Sequence, residues 1–342
     1  MAEKYILSSC VWELTLACCF SCKYCGSSGG RARKDELSTG ECVDVARQLH
    51  ELGCRRVSLI GGEVFMRRDW EAIVKALTSR GIKTCIITNG WLFSRENIRA
   101  LKNTGIESVA VSLDGPRQVH DRYRQKGSFA RAVKAIRELS ENHIPVTVIS
   151  TLNHENAKIL PKFYDFLKRL PIRAWQLQAC SPMGNAAISG VDHRFDFAGA
   201  LRFVREQAPK SPFPIYAADN IGYYTPEEGY VRGSLSGKTG FCGCSGGIHT
   251  LGIDSVGNVR GCESMYADDF IEGNLRQKTL RQIWEDPNAF AYNRKFSPEL
   301  LTGKCASCSF GGICRGGCRS YNYFVHGKLY ESPCCPREKE EF

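Results

Sequence analysis

The chain has 342 residues, a formal net charge of +10 and 18 cysteines. That length suits one large domain and a smaller one, and 43% apolar content supplies a core without disulfides. No stretch approaches the run of about 20 apolar residues that a membrane span requires, and Met1-Ala2-Glu3-Lys4-Tyr5-Ile6 carries no apolar signal-peptide run. The expected location is the cytoplasm, where thiols stay reduced and this many cysteines point to metal or redox chemistry. Basic residues fall in scattered pairs such as Arg55-Arg56 and Arg67-Arg68, so nucleic acid is not an expected partner.

From residue 8 to about 180, short apolar runs alternate with amphipathic stretches, the pattern of repeated βα units around a parallel sheet. Six strands are predicted, at 9–15, 56–60, 82–87, 107–113, 144–150 and 172–178, and their near-continuous apolar character predicts cover on both faces. The loop after the first strand holds Cys18-x3-Cys22-x2-Cys25. Three thiolates this close grip three corners of a cubane [4Fe-4S] cluster and leave one iron open. A structural zinc site is the alternative, but it wants four closed ligands and leaves an orphan position here. The first helix opens at the capping box Ser38-Thr39-Gly40-Glu41, turns Cys42, Val45, Ala46, Leu49 and Leu52 to one apolar face, and stops at Gly53. Cys42 is thereby core. Further helices open at Ser94 and Ser128, the second with Phe129, Val133, Ile136 and Leu139 inward.

Gly61-Gly62-Glu63 follows the second strand, Thr88-Asn89-Gly90 the third, and Ser112-Leu113-Asp114-Gly115 ends the fourth. In a parallel barrel these positions and the three cysteines share the C-terminal rim, where loops far apart in sequence meet at one site. Residues 181–240 break the alternation: 181–185 reads as a loop, 195–207 as a helix, and 209–240 is rich in Pro, Gly and Tyr. Then come Cys244-x12-Gly257-x4-Cys262, Cys305-x2-Cys308-x5-Cys314-x3-Cys318 and the pair Cys334-Cys335. Leu251, Ile253 and Val259 alternate around Asp254-Ser255-Val256-Gly257-Asn258, which predicts a hairpin with Gly257 at positive φ that brings Cys244 and Cys262 together. Cys54 and Cys85 read as small buried hydrophobes, and Cys19 as a bystander of Cys18. Cys10 and Cys180, on the first and sixth strands, read as core, with a pocket-facing thiol that donates a hydrogen atom as the alternative.

The stretch from Trp12 to Gly26 around Cys18, Cys22 and Cys25 closely resembles the radical SAM enzymes, and the C-terminal cysteines match the seven-cysteine pattern of SPASM domains. Together they are similar to the maturases of ribosomally made peptides. The resemblance implies an α/β fold: a partial (β/α)6 TIM barrel over 1–180, a bridging region over 181–240 and a cysteine-rich SPASM domain over 241–342. It implies three [4Fe-4S] clusters and S-adenosyl-L-methionine. The first cluster takes Cys18, Cys22 and Cys25, and its open iron takes the amino and carboxylate groups of S-adenosylmethionine. One auxiliary cluster takes Cys244, Cys262 and Cys318, with Cys242 the candidate fourth ligand unless that position is open to substrate. The other takes Cys305, Cys308, Cys314 and one of the terminal pair, Cys335 being favoured over Cys334. With those thiols deprotonated and the iron in place, the formal charge falls to about +5.

By the same resemblance, Gly61, Gly62 and Glu63 hold the methionyl ammonium, and Ser112 with Arg124 binds the methionyl carboxylate. A solvated loop arginine is the alternative for Arg124. Asn89 and the segment from Gln178 to Asn185 contact ribose and adenine, and Tyr24 packs on the adenine or shields the cluster. Glu263, directly after Cys262, is the candidate base, with an exposed turn glutamate as the alternative.

The activity implied is reductive release of a 5′-deoxyadenosyl radical that takes a hydrogen atom from substrate. Auxiliary clusters suit net oxidation, because they accept the electron that the substrate radical loses. The expected substrate is a ribosomally made precursor peptide that gains a thioether or carbon–carbon crosslink, and the expected electron donor is a flavodoxin or ferredoxin. About seven residues precede the first strand, so leader binding is expected at the barrel, the bridging region or a separate leader-binding protein. The alternatives are oxidation of a protein residue, as in anaerobic sulfatase maturation, and dehydrogenation of a small molecule. From another class, the alternative is a non-catalytic iron-sulfur or zinc-binding electron-transfer protein.

Overall fold

The computed structural model describes residues 5–221, 231–232 and 241–335. Six strands follow the apolar runs: β1 (Ser9–Glu13), β2 (Arg56–Ile60), β3 (Lys83–Thr88), β4 (Ser108–Ser112), β5 (Val146–Leu152) and β6 (Ala174–Ala179), each parallel to the one before. Between them run α1 (Thr39–Glu51), α2 (Trp70–Thr78), α3 (Arg95–Lys102), α4 (Arg117–Tyr123), α5 (Ser128–Glu141) and α6 (Leu160–Leu167). The two faces of the sheet differ. Trp12, Leu59, Ile86, Val111, Val148 and Leu177 are fully buried on one face, while their neighbours Val11, Ser58, Ile87, Ile149 and Gln176 border a cavity on the other. Cover on both faces is thus corrected: packed core lies on the outside, and the inner face borders a space open to a ligand.

Local chemistry sets the helix starts. At α1 Ser38 Oγ accepts from Glu41 N (3.3 Å) and the Glu41 carboxylate accepts from Ser38 N (2.7 Å), with Cys42 buried in the core. Ser94 caps α3 by accepting from Asn97 N (3.2 Å). Ser128 is not the cap of α5 but its first helical residue. The capping acceptor is Asp121, which takes Gly127 N (2.9 Å) and Phe129 N (2.8 Å), a role invisible from a residue that lies outside the helix it serves.

The alternation does not stop at 180. Beyond β6 come α7 (Asn185–Ile188) and α8 (Phe197–Gln207), then β7 (Ile215–Ala217), which pairs in parallel with β6. Tyr164 stacks on Trp175 at 6.0 Å and Phe203 meets Trp175 edge-on at 5.9 Å, so α6, β6 and α8 share one aromatic layer. The expectation for 222–230 and 233–240 lies outside the described residues.

At the opposite edge, β8 (Thr250–Ile253) and β9 (Asn258–Arg260) form the expected hairpin, with Gly257 at φ 88°. β8 also pairs in parallel with β1, and β10 (Gly273–Asn274) pairs antiparallel with β9. The cysteine-rich segment therefore continues the barrel's own sheet, which runs β10-β9-β8-β1-β2-β3-β4-β5-β6-β7. That junction brings Cys262 and Glu263 to the barrel's cavity.

Candidate active site

The loop that carries Cys18, Cys22 and Cys25 is held by backbone on every side. Gly62 N donates to Thr15 O and Glu63 N to Ala17 O, both at 2.7 Å. A Cβ on Gly62 would lie 2.1 Å from Ala17 O, so the double glycine admits the cysteine loop itself, a reason for glycine that the sequence reading assigned to the cofactor. From the other side Asn185 gives its N to Cys25 O (2.9 Å) and its Nδ2 to Cys22 O (3.0 Å). Ser189 Oγ donates to Lys23 O (2.6 Å), and Lys23 N donates to Tyr123 O (2.8 Å). Asn185 is thus spent on the loop and not on ribose.

Cys18, Cys22, Tyr24 and Cys25 line a cavity of about 460 Å³ at the C-terminal ends of the strands. Gly61, Gly62, Asn89, Ser112, Arg124 and Gln178 line the same cavity, and so does Cys180. Cys10 instead shares the core face with Trp12. A larger groove of about 730 Å³ lies between the 154–161 segment and α8, away from every cysteine.

Glu63 stands behind this wall and not on it. Its carboxylate accepts from Thr88 Oγ1 (2.8 Å), Asn89 N (2.9 Å) and Phe65 N (3.4 Å), and burial pushes its carboxyl up to about 7. Cys19 is exposed beside Cys18, as expected, and accepts from Asn89 Nδ2 (3.5 Å).

Arg124 is not a solvated loop arginine; its side chain is 11% exposed and ion-paired with Asp114. Tyr24 Oη donates to the same carboxylate, and the Arg124 guanidinium lies 5.5 Å from the Tyr24 ring centroid. Asp114 Oδ1 further accepts from Thr151 N (2.9 Å), and His120 Nδ1 lies 3.4 Å from Oδ2. Burial alone would raise this carboxyl, but the charge and hydrogen bonds of Arg124 hold it well below the usual carboxylate range. Asp114 ties the cysteine loop, α4 and β5 together. Asp114 sits in the motif Ser112-Leu113-Asp114-Gly115, but nothing local to that motif signals that Tyr24, Arg124 and Thr151 converge on its carboxylate.

Glu263 is not an exposed turn glutamate. It is buried, borders the cavity beside Cys262, and neither carboxylate oxygen has a hydrogen-bond partner among the described residues. Behind it, Arg33 bonds Glu13, Ser255 and Tyr266, joining β1 to the hairpin turn.

The remaining thiols fall into two groups. Burial, then the neighbouring Cys244, pushes Cys262 up to about 12, and Cys318 is raised by burial and by both Cys244 and Cys262. Cys314 is pushed up to about 12 by burial and then by Cys335, Cys305 and Cys308. Cys335 therefore faces the second group, while Cys334 lies against Tyr321. Cys242 is exposed. Backbone amides are aimed at several sulfurs: Phe20 N at Cys18 Sγ (3.4 Å), Gly29 N at Cys25 Sγ (3.3 Å) and Ser332 N at Cys305 Sγ (3.4 Å). Amides directed at sulfur fit thiolates that hold an iron-sulfur cluster. Among the described residues no three His, Cys, Asp or Glu side chains converge on a single ion; a cubane does not ask this of them, since each thiolate binds its own iron.

Fold and site define an α/β enzyme built to keep iron-sulfur chemistry inside a partial parallel barrel. Residues 12–167 match the radical SAM superfamily, and residues 244–309 match SPASM, an iron-sulfur cluster-binding domain. The chain is a radical SAM enzyme with a C-terminal SPASM domain, which binds iron-sulfur clusters and S-adenosylmethionine. It is 29% identical over 339 residues to the AdoMet-dependent heme synthase of Methanosarcina barkeri, covering 95% of each chain. It is 29% identical over 322 residues to the mycofactocin maturase MftC of Mycolicibacterium smegmatis, covering 92% of this chain and 78% of that one. In fold it is similar to Streptococcus suis SuiB bound to S-adenosylmethionine, with a TM-score of 0.79 at 17% identity over 97% of this chain and 77% of that one. No helix among the described residues is long and apolar enough to cross a membrane.

Proposed function

We propose that the chain is a peptide maturase that takes a hydrogen atom and then an electron from a ribosomally made precursor peptide, leaving a thioether or carbon–carbon crosslink. The observation that carries this reading is Glu263, a buried carboxylate without a partner among the described residues, which borders the same cavity as Cys18, Cys22 and Cys25. A substrate between them meets the radical source on one side and a proton acceptor on the other. Similarity to a maturase, MftC, supports the substrate class.

In this reading Cys18, Cys22 and Cys25 hold the first cluster; Cys244, Cys262 and Cys318, with Cys242 completing the set, hold the second; and Cys305, Cys308, Cys314 and Cys335 hold the third. Bound together, the reduced first cluster and S-adenosylmethionine supply the radical that takes the hydrogen atom. The protein's part is to bind, orient and shield. Arg124, held in place by Asp114, offers its guanidinium with Ser112 to the methionyl carboxylate. Gly61 and Gly62 present backbone to the ammonium, and Glu63 fixes Asn89 and adds negative charge from behind. Gln178, held by Thr151 Oγ1 at 3.0 Å, faces the nucleoside. Tyr24, stacked on Tyr123 at 5.5 Å, screens the cluster from solvent. Glu263 accepts the proton that the oxidised substrate loses. The chain then divides into a barrel over 1–180, a bridging region over 181–240 and the SPASM domain over 241–342, with a flavodoxin or ferredoxin as electron donor.

A second reading is favoured by the similarity to AdoMet-dependent heme synthase: oxidation of an iron porphyrin in the same cavity. One experiment separates the two. The enzyme is co-expressed with any small reading frame found beside its gene and the encoded peptide is weighed, while purified enzyme is given iron coproporphyrin with S-adenosylmethionine and reductant. A peptide lighter by two hydrogens supports crosslinking; an unchanged peptide with converted porphyrin replaces the first reading by the second.

A further inference from the structure

Helix Arg319–His326 begins directly after Cys318, and its first residue is a fully buried arginine. Only one of its three guanidinium nitrogens has a hydrogen-bond acceptor: Nη1 donates to Arg315 O (2.5 Å) and Leu329 O (3.1 Å), with Gly317 O at 3.5 Å. Nε and Nη2 have no partner among the described residues. The guanidinium lies 4.5 Å from the Tyr330 ring centroid and 5.6 Å from that of Phe296. No carboxylate is paired with it in any described contact, whereas the buried arginines Arg124 and Arg260 are matched, the first by Asp114 and the second by Asp254 at 2.9 Å.

A buried cation without an anion costs several kcal/mol, so the site is built for negative charge to arrive. The thiols of Cys244, Cys318 and Cys314 lie close enough to act on Arg319, as does the Tyr330 hydroxyl. The backbone explains why. Arg315, Gly316 and Gly317 all adopt left-handed φ (55°, 78° and 86°), which folds the four-residue step from Cys314 to Cys318 into a tight turn and aims the carbonyls of Arg315 and Gly317 at Nη1. That turn joins the two proposed auxiliary cluster sites, and the guanidinium is clamped across it.

We propose that Arg319 is the shared counter-ion of the two auxiliary clusters, a positioning residue whose charge raises their reduction potentials and so makes them better acceptors for the substrate's electron. The inference rests on the ligand sets proposed above. Adding an electron to a cluster makes it more negative, and a cation fixed in a buried site favours the reduced form, so removal of that cation lowers the potential.

The test is a spectroscopic redox titration of the anaerobically reconstituted full chain, read by electron paramagnetic resonance, for wild type, Arg319→Gln and Arg319→Lys. Iron content and resolved auxiliary signals in the wild type are read first; their absence removes the ligand assignment and this inference with it. With both auxiliary clusters present, Arg319→Gln lowers at least one auxiliary potential by an amount equivalent to a tenfold change in the one-electron equilibrium, about 59 mV, and leaves the first cluster unchanged. Arg319→Lys, which keeps the charge, restores most of that shift. Unchanged auxiliary potentials in a Gln variant that retains its iron overturn the proposal. If the Gln variant loses its auxiliary clusters, the Lys variant decides: retention of both at near-native potentials supports the counter-ion, and loss or displacement of them overturns it.

Discussion

The barrel rim and the auxiliary-cluster end both gather cysteines, but they are held in opposite ways. At the rim the cysteine loop and its lead-in are fixed by backbone bonds between Thr15 and Gly62, Ala17 and Glu63, Lys23 and Tyr123, and Cys25 and Asn185, and the buried arginine there, Arg124, is already matched by Asp114. At the auxiliary-cluster end Arg319 is buried with two nitrogens unpartnered among the described residues. The first region is complete as protein; the second is balanced only when something charged arrives. One chain thus contains a preorganised site and a site whose stability is coupled to its cofactors.

Several experiments break or sharpen that contrast. The largest effect is expected from stripping iron under chelation. Hydrogen exchange over 305–335 should then accelerate far more than over β1 to β5; equal loss of protection in both would dissolve the distinction. Next is Asp114→Asn, which leaves the Arg124 charge buried without its partner and should cost about 3–5 kcal/mol, the usual penalty for breaking a buried pair. Thermal melts read the loss, and S-adenosylmethionine affinity should fall with it. A variant as stable as wild type would remove Asp114 from its central place at the rim. Glu263→Gln should uncouple the reaction: 5′-deoxyadenosine still forms, oxidised product does not, and stability changes little because a neutral polar group of the same shape takes the place of a carboxyl that burial already holds toward its neutral form. Product at the wild-type rate would return Glu263 to a structural role.

A smaller effect concerns pH. Burial raises Glu63 from 4.5 to about 7, so its folded form favours the proton more than the unfolded chain does. The stability this group contributes is complete below pH 4.5 and is lost as pH rises through 7. Glu63→Gln should flatten that part of the stability profile, and a slope that persists in the variant assigns it to another group. Ser38→Ala, which removes the α1 cap, should cost about 1 kcal/mol and leave radical formation untouched.

Much of this was legible in the sequence because the signals are local. Apolar runs gave β1 to β6, Ser38 and Glu41 gave a helix start, and the spacing of Cys18, Cys22 and Cys25 gave the rim site. What escaped was set by tertiary contact. Asp121 caps a helix it precedes by seven residues. The glycine of Gly62 answers to Ala17 O, and Asp114 to partners on three elements. The parallel pairing of β8 with β1, which brings Glu263 to the cavity, links residues some 240 apart and has no trace in either segment alone. The choice between Cys334 and Cys335 likewise depended on which way adjacent side chains face.

The central claim is that Cys18, Cys22 and Cys25 make a radical-generating site. Anaerobically purified and reconstituted full-length protein, given S-adenosylmethionine and a low-potential reductant, should form 5′-deoxyadenosine, and a variant with all three cysteines changed to alanine should form none. Absence of 5′-deoxyadenosine from the iron-loaded wild type, or its formation at an equal rate by the triple variant, would contradict the account.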